Sequence, residues 1–186
     1  SADQDCMVSL ENMEIVISDG KIIDIGNHLG DTDDVFNCEN KLVTPGFVDC
    51  HTHPVFLEER ENEFYMRTKG FTYEEIANKG GGISNSVNGV RNSSEIELIN
   101  RVKPRMDDFL KLGTTTIEAK SGYGLDLDSE LKSLKVLHEV NLIHDIDIIP
   151  TFMGAHAVPL EYKNDPESYV NLLCDSIIPE VADQGI

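Results

Sequence analysis

The chain has 186 residues, of which 40% are hydrophobic and 26% are charged, and its formal net charge is −19. This composition is typical of a soluble globular domain, or of part of a larger one. So acidic a surface repels phosphate backbones, which argues against nucleic-acid binding. No apolar stretch is long enough to cross a bilayer, and the polar N-terminus does not resemble a signal peptide. We therefore expect no membrane association and a cytoplasmic location.

A β-hairpin is predicted near the start of the chain. Within residues 13–26, apolar residues alternate on both sides of Asp19-Gly20, a dipeptide typical of two-residue turns. A further apolar run follows the turn signal Pro45-Gly46. This run predicts a strand over residues 47–51.

Two more strands are predicted farther along the chain, with helices between and after them. Segments 114–119 and 145–152 are short and rich in β-branched residues, as buried strands are. Leucine and valine recur at helical spacing through residues 131–140. Such alternation predicts a parallel sheet, either open or closed into a barrel. Three strands are too few for a closed barrel, so the sheet is open or the chain is the N-terminal part of a longer protein.

Helix starts are predicted where a polar side chain can cap the first turn. The patterns are Thr72 with Glu75, Ser94 with Glu97, and Asp165 followed by Pro166. The glycine-rich segment 79–84 lies between the first two helices and is predicted to be a loop. Pro104 is expected to kink the second helix, and Gly113 to end it.

Two histidines stand one residue apart at the end of the first strand of the predicted parallel sheet. Alternate strand residues share a face, so Asp49, His51 and His53 are expected to project together. The C-terminal ends of parallel strands carry the chemistry of α/β folds, and two imidazoles on one face suit zinc or iron. Asp49 could orient one of them. The alternative is that all three side chains only bond to nearby backbone.

Several motifs, in the same order, resemble one group of enzymes. The segment TPGFVDCHTHPVF, residues 44–56, resembles the metal-binding signature of the amidohydrolase superfamily. Three later segments are together similar to the imidazolonepropionase family: ERENEFYMRTKGFTYEEIANKGGGI, EAKSGYGLD and TFMGAHAVPLEYK. The resemblance extends over residues 43–186.

The resemblance implies an α/β fold. Residues 45–186 would form the N-terminal portion of a metal-dependent (β/α)8 TIM-like barrel, and residues 1–44 part of a small β-sandwich domain. The implied reaction, in histidine degradation, is hydrolysis of the cyclic amide of 4-imidazolone-5-propanoate, a small molecule, to N-formimidoyl-L-glutamate. A homodimer is implied as well. Because the later strands of such a barrel lie beyond these residues, we expect this piece alone to be inactive.

The resemblance also implies roles for individual side chains. His51 and His53 would be ligands of one divalent metal ion, zinc or iron. Arg60, Tyr123 and His156 match residues that bind the substrate, and His156 would also be the catalytic donor beside the carbonyl under attack. Arg60 would bind the propanoate, because a guanidinium can donate two parallel hydrogen bonds to a carboxylate.

From the residues alone, other roles stay open. Arg60 lies among acidic residues, a pattern typical of a solvent-exposed charged side chain. Tyr123 lies between two glycines, so its ring could face a ligand or pack on the protein surface. No residue clearly serves as the general base, and Glu118 and Lys120 are expected to be structural. A different amidohydrolase acting on a purine or pyrimidine, and a metal-free or inactive relative, are the competing interpretations.

Overall fold

The structure is a computed structural model that describes residues 8–30, 34–78 and 80–185. The chain divides between Thr44 and Pro45 into two compact units, and each unit has its own secondary structure. The assignment of the two units to a β-sandwich and a barrel stays a prediction.

The first unit contains the predicted hairpin. Strand β1 (Glu14–Ser18) pairs antiparallel with β2 (Lys21–Gly26). The residues between them both have positive φ, 50° at Asp19 and 72° at Gly20, as a type I′ turn requires. The hairpin prediction is therefore confirmed, and the Asp-Gly dipeptide provides its turn.

The second unit contains a parallel three-stranded sheet in the order β3-β4-β5. The strands are β3 (Phe47–Thr52), β4 (Thr114–Lys120) and β5 (Asp147–Thr151), and β4 runs parallel to both neighbours. The predicted parallel sheet is confirmed, with strand bounds that shift by one or two residues. The C-terminal ends of all three strands thus lie along one edge of the sheet.

Seven α-helices occur among the residues that the structure describes. They are α1 (Glu61–Thr68), α2 (Tyr73–Asn78), α3 (Ile83–Asn92), α4 (Glu95–Lys111), α5 (Leu127–Ile143), α6 (Pro166–Leu172) and α7 (Ile178–Gln184). Two 3₁₀ turns, Gly154–His156 and Leu160–Tyr162, follow β5, and a π-helical turn over Leu173–Ile177 joins α6 to α7. Within the described ranges, no helix has the length and apolar character needed to span a membrane.

The three predicted caps are confirmed. The Ser94 hydroxyl accepts from the Glu97 N–H at 3.3 Å, and the Glu97 carboxylate accepts from the Ser94 N–H at 2.8 Å. Thr72 and Glu75 exchange the same pair of bonds, and Asp165 caps α6. Each cap satisfies backbone N–H groups that a helix start would otherwise leave unpaired.

Two helical regions differ from the sequence-based expectation. Helix α1 lies in the acidic segment around Arg60, and it buries none of its residues, so it has no apolar periodicity to reveal it. The loop predicted over 79–84 is wrong at Ile83 and Ser84, which begin α3 after the positive φ of Gly82. Helix α4 continues past Pro104 to Lys111.

The main core of the second unit lies between the sheet and helices α4 and α5. Its buried side chains include Leu98, Val102, Met106, Ile117, Ala119, Val136, Leu137, Val140 and Ile148. Burying each of the larger ones contributes about 1.5–3 kcal/mol. Helices α4 and α5 thus hold one face of β4 and β5 in place. This packing also fixes the positions at which the two strands end.

Candidate active site

Four of the five predicted site residues lie together at the C-terminal edge of the parallel sheet. His51 is the next-to-last residue of β3, and His53 comes directly after that strand. Tyr123 lies in the loop after β4, and His156 ends the 3₁₀ turn after β5. The ring centroid of His53 lies 5.5 Å from that of His51, 5.4 Å from Tyr123 and 4.6 Å from His156. The ring centroids of Tyr123 and His156 are 5.6 Å apart. We call these four side chains the ring cluster, and His53 lies at its centre.

The backbone orients the imidazole of His53. Its Nδ1 lies 3.0 Å from the carbonyl oxygen of Ser121, so the tautomer that donates from Nδ1 leaves Nε2 free for a ligand. Burial lowers the pKa of His53 below its ordinary value of 6.5, and the neighbouring charge of His156 lowers it further. This shift favours the neutral form of His53, which is the form of histidine that ligates metals.

His51 is exposed, and Asp49 contacts its backbone, not its ring. The His51 N–H lies 3.2 Å from a carboxylate oxygen of Asp49. Among the described hydrogen bonds, none joins Asp49 to an imidazole. The geometry therefore favours the local role that was one of two alternatives for Asp49, and Ser121 is the residue that orients His53.

Ser121 connects the ends of all three parallel strands. Besides its contact with His53, its N–H donates to the Thr151 carbonyl at 2.9 Å, and its hydroxyl accepts from the Met153 N–H at 2.8 Å. The side chain is buried. Sequence reasoning missed this role, because a serine ahead of Gly-Tyr-Gly indicates only a loop.

Glu118 and Lys120 form an ion pair on β4 beside the cluster. Glu118 also accepts a hydrogen bond from the Thr151 hydroxyl at 2.9 Å. The hydrogen bond from Lys120, and then that from Thr151, lowers the pKa of the Glu118 carboxyl. A carboxylate engaged by two donors is a poor general base, and its contacts connect β4 to β5, so the geometry favours the structural role expected for this pair.

Close packing places the loop after β4 against His156. Gly122 has a φ of 105°, and a Cβ added there would lie 2.8 Å from the Cβ of His156 and 2.9 Å from the Met153 carbonyl oxygen. Only glycine fits both the positive φ and this distance. The glycine before Tyr123 is therefore explained by its approach to His156.

Tyr169 supports the 3₁₀ turn that ends at His156. Its hydroxyl donates to the Gly154 carbonyl at 2.7 Å, and the ring is buried in a second apolar cluster with Leu125 and Ile177. Burial raises the pKa of the Tyr169 hydroxyl, so the proton needed for this bond stays in place. The bond fixes the backbone two residues before His156.

Replacing Tyr169 by phenylalanine in the full-length protein should lower the free energy of unfolding by about 1–3 kcal/mol, because the Gly154 carbonyl would be buried without a donor. Denaturant unfolding followed by circular dichroism measures this change. Tyr162→Phe is the matched control, since Tyr162 packs on Tyr169 at 5.4 Å between ring centroids. Equal losses in the two variants would contradict the importance of the Gly154 bond.

Arg60 is the predicted site residue that the ring cluster does not include. It occupies the cap position ahead of α1, and its side chain is 41% exposed and lies 3.8 Å from Glu63. No described hydrogen bond, ion pair or ring contact joins Arg60 to the cluster. Its role as the propanoate ligand stays a prediction.

The histidine pair has the chemistry of metal ligands, and the geometry around it bears on whether a metal would fit. Among the described residues, no group of three or more His, Cys, Asp or Glu side chains is placed to hold a metal ion. Two imidazoles 5.5 Å apart between ring centroids at the end of one strand, one of them oriented by a backbone carbonyl, are nevertheless suitable ligands for zinc or iron. His51 and His53 thus fit a metal, and further ligands are needed to complete the site.

Comparison with known proteins agrees with the motifs. No family model matches the chain. The chain is 43% identical over 181 residues to an imidazolonepropionase of Aliivibrio salmonicida, a match that covers 95% of this chain and 44% of the relative. It is 46% identical over 185 residues to an imidazolonepropionase of Clostridium tetani, and this match covers 95% of this chain and 44% of the relative. A third, from Brevibacillus brevis, is 51% identical over 148 residues, 80% of this chain and 35% of the relative.

The chain spans less than half the length of these curated relatives. The matches nevertheless cover 80–95% of this chain. The resemblance indicated by the motifs is therefore confirmed: over most of its length, this chain is similar to proteins named imidazolonepropionase.

Proposed function

We propose that this chain carries part of the active site of an imidazolonepropionase, which hydrolyses the cyclic amide of 4-imidazolone-5-propanoate to N-formimidoyl-L-glutamate. The observation that carries the proposal is the convergence of His51, His53, Tyr123 and His156 at one edge of a parallel sheet. These residues come from three separate segments, and each segment matches a motif of that family.

We infer that His51 and His53 are two ligands of one divalent ion, zinc or iron. When bound, such an ion supplies Lewis acidity that lets water attack an amide at neutral pH. The lowered pKa of His53 supports this role, because a proton competes with a metal for the same nitrogen. The Ser121 carbonyl supports it as well, because it accepts from the other ring nitrogen.

The remaining cluster residues are suited to binding the ring and its developing charge. When water adds to the ring carbonyl carbon, its oxygen becomes an oxyanion that needs a hydrogen-bond donor. A ring N–H of His156 can donate to that oxygen, and the Tyr123 hydroxyl can bind the substrate beside it. The C–N bond of the ring then breaks, the nitrogen takes a proton, and the former carbonyl carbon becomes a carboxylate.

Arg60 is proposed to bind the propanoate group. A guanidinium donates two parallel hydrogen bonds to a carboxylate. The side chain is partly exposed and has one weak ion pair, 3.8 Å from Glu63, so little interaction is lost when it turns to a substrate.

The proposal includes a barrel architecture, a homodimer and a cytoplasmic location, as the resemblance implies. Support for the barrel comes from the sheet. Within the described residues, β3 and β5 each pair on one side only, and Phe47 and Val48 of β3 are 58% and 67% exposed. Further strands beside β3 would cover such apolar residues and satisfy its unpaired backbone groups.

The purified full-length protein should convert 4-imidazolone-5-propanoate to N-formimidoyl-L-glutamate, because its ring cluster and metal ligands suit a cyclic amide. Mass spectrometry of the reaction mixture measures both compounds. Guanine and cytosine are offered in parallel, since another amidohydrolase would share the histidine pair. Deamination of either base, with no consumption of the imidazolone, would overturn the proposed function in favour of an aminohydrolase.

A further inference from the structure

Glu130 is a fully buried carboxylate near the start of α5, with 0% of its surface exposed. Its oxygens accept hydrogen bonds from three backbone N–H groups, those of Gly122 at 3.1 Å, Gly124 at 2.8 Å and Leu125 at 2.8 Å. Within the described part of the chain, no cationic side chain forms an ion pair with it. A buried carboxylate is costly unless its hydrogen bonds are made, and here the loop backbone makes them.

The three N–H groups lie on both sides of Tyr123. One Glu130 oxygen binds the amide before Tyr123, and the other binds the two amides after it. The backbone that carries the Tyr123 ring is thereby held at both ends. The ring itself is half-buried and lies 5.4 Å from His53 and 5.6 Å from His156 between centroids.

The same carboxylate also affects His156 through Gly122. A Cβ at Gly122 would lie 2.8 Å from the Cβ of His156, so the Gly122 backbone already lies close to the His156 side chain. A displacement of Gly122 toward His156 would push that side chain. Loss of the bond between Gly122 and Glu130 is therefore expected to disturb both Tyr123 and His156.

We propose that Glu130 is a positioning residue that holds Tyr123 and, through Gly122, His156 in the geometry needed to bind the substrate. The inference rests on the proposed function in taking Tyr123 to contact the substrate. Glu130 itself does not reach the ring cluster: its described hydrogen bonds all go to the loop backbone.

Glu130→Gln in the full-length protein tests the proposal, because it retains the shape of the side chain. Its remaining oxygen can still accept from Gly124 and Leu125, but its NH₂ group would face the Gly122 N–H and cannot accept from it. We expect kcat/KM to fall roughly 10- to 100-fold, the cost of a small misplacement of binding groups, with metal content unchanged. Wild-type kcat/KM in a folded Glu130→Gln protein would overturn the proposal.

A double-mutant cycle with Tyr123→Phe separates positioning from a general structural role. If Glu130 acts through Tyr123, adding Glu130→Gln to Tyr123→Phe should cost much less in kcat/KM than Glu130→Gln costs alone. Fully additive losses would overturn the proposal. If Glu130→Gln does not fold, Glu130→Asp takes its place in the cycle, since it retains both acceptor oxygens on a shorter stem.

Val136→Ala is the matched control for lost stability. Val136 is buried on the same helix and packs in the main core, away from the loop. Hydrogen exchange should show faster exchange of the Gly122 amide in Glu130→Gln and not in Val136→Ala. The hydrogen-exchange measurement needs no substrate. It therefore tests whether Glu130 holds the loop even if the protein does not turn over the imidazolone. Unchanged protection of the Gly122 amide, or an equal loss of kcat/KM in Val136→Ala, would contradict the proposal.

Discussion

Replacing His51 by alanine in the full-length protein should remove both the bound metal and the turnover. Changing the partner of a metal ligand typically costs about 10- to 100-fold in affinity or activity, and loss of the ligand itself should cost more. His51 has no described hydrogen bond through its ring and is exposed, so little stability depends on that side chain. Elemental analysis of metal per chain and steady-state kinetics measure the two effects.

His138→Ala is the matched control for this experiment. His138 is an exposed histidine on α5, and its removal should leave both metal content and kcat at the wild-type level. A His51→Ala/His53→Ala double variant extends the test to both proposed ligands. Stoichiometric metal in that double variant would show that the ion binds elsewhere in the protein.

Replacing Arg60 by methionine should reduce kcat/KM roughly 10- to 100-fold if Arg60 binds the propanoate, because a charge-assisted hydrogen bond contributes about 1.5–3 kcal/mol. If Arg60 only holds the substrate, KM should rise. If it also places the ring carbonyl at the site of attack, kcat should fall as well. Arg60→Lys should restore only part of the activity, because an ammonium lacks the planar pair of donors.

Arg67→Met is the control, since Arg67 is exposed in the last turn of the same helix. A surface arginine should change stability by at most about 0.5 kcal/mol and leave the kinetics unchanged. Metal content is measured in each variant to exclude an indirect effect. Wild-type kcat/KM in both Arg60 variants would remove Arg60 from the site and weaken the assignment of the substrate.

Local sequence rules predicted the parts of the fold that depend on local interactions. The Asp19-Gly20 turn and the Ser94–Glu97 cap each need only a few neighbouring residues, and both are present. The short β-branched segments likewise form the parallel strands. Helix α1 was missed because its apolar residues Phe64 and Tyr65 are exposed, so the segment has no buried face and no periodic pattern.

The candidate site was predicted in part, for physical reasons that differ between residues. Position at strand ends explains why His51 and His53 lie near His156, and the resemblance of its motif pointed to Tyr123, which lies beside them. The roles of these four residues stay predictions. Ser121 and Glu130 were missed because both act on backbone groups brought close by the fold. In the sequence, a glutamate in the first turns of a helix is typical of a solvated residue, not of a buried acceptor.

The most direct test of the metal site is anomalous diffraction from crystals of the full-length protein, recorded at the zinc and iron absorption edges. The proposal predicts one peak about 2.0–2.1 Å from a ring nitrogen of His51 and from Nε2 of His53, with Nδ1 of His53 still bonded to the Ser121 carbonyl. The edge at which the peak appears identifies the metal. A fully occupied metal peak elsewhere, with both imidazoles unbound, would contradict the proposed active site.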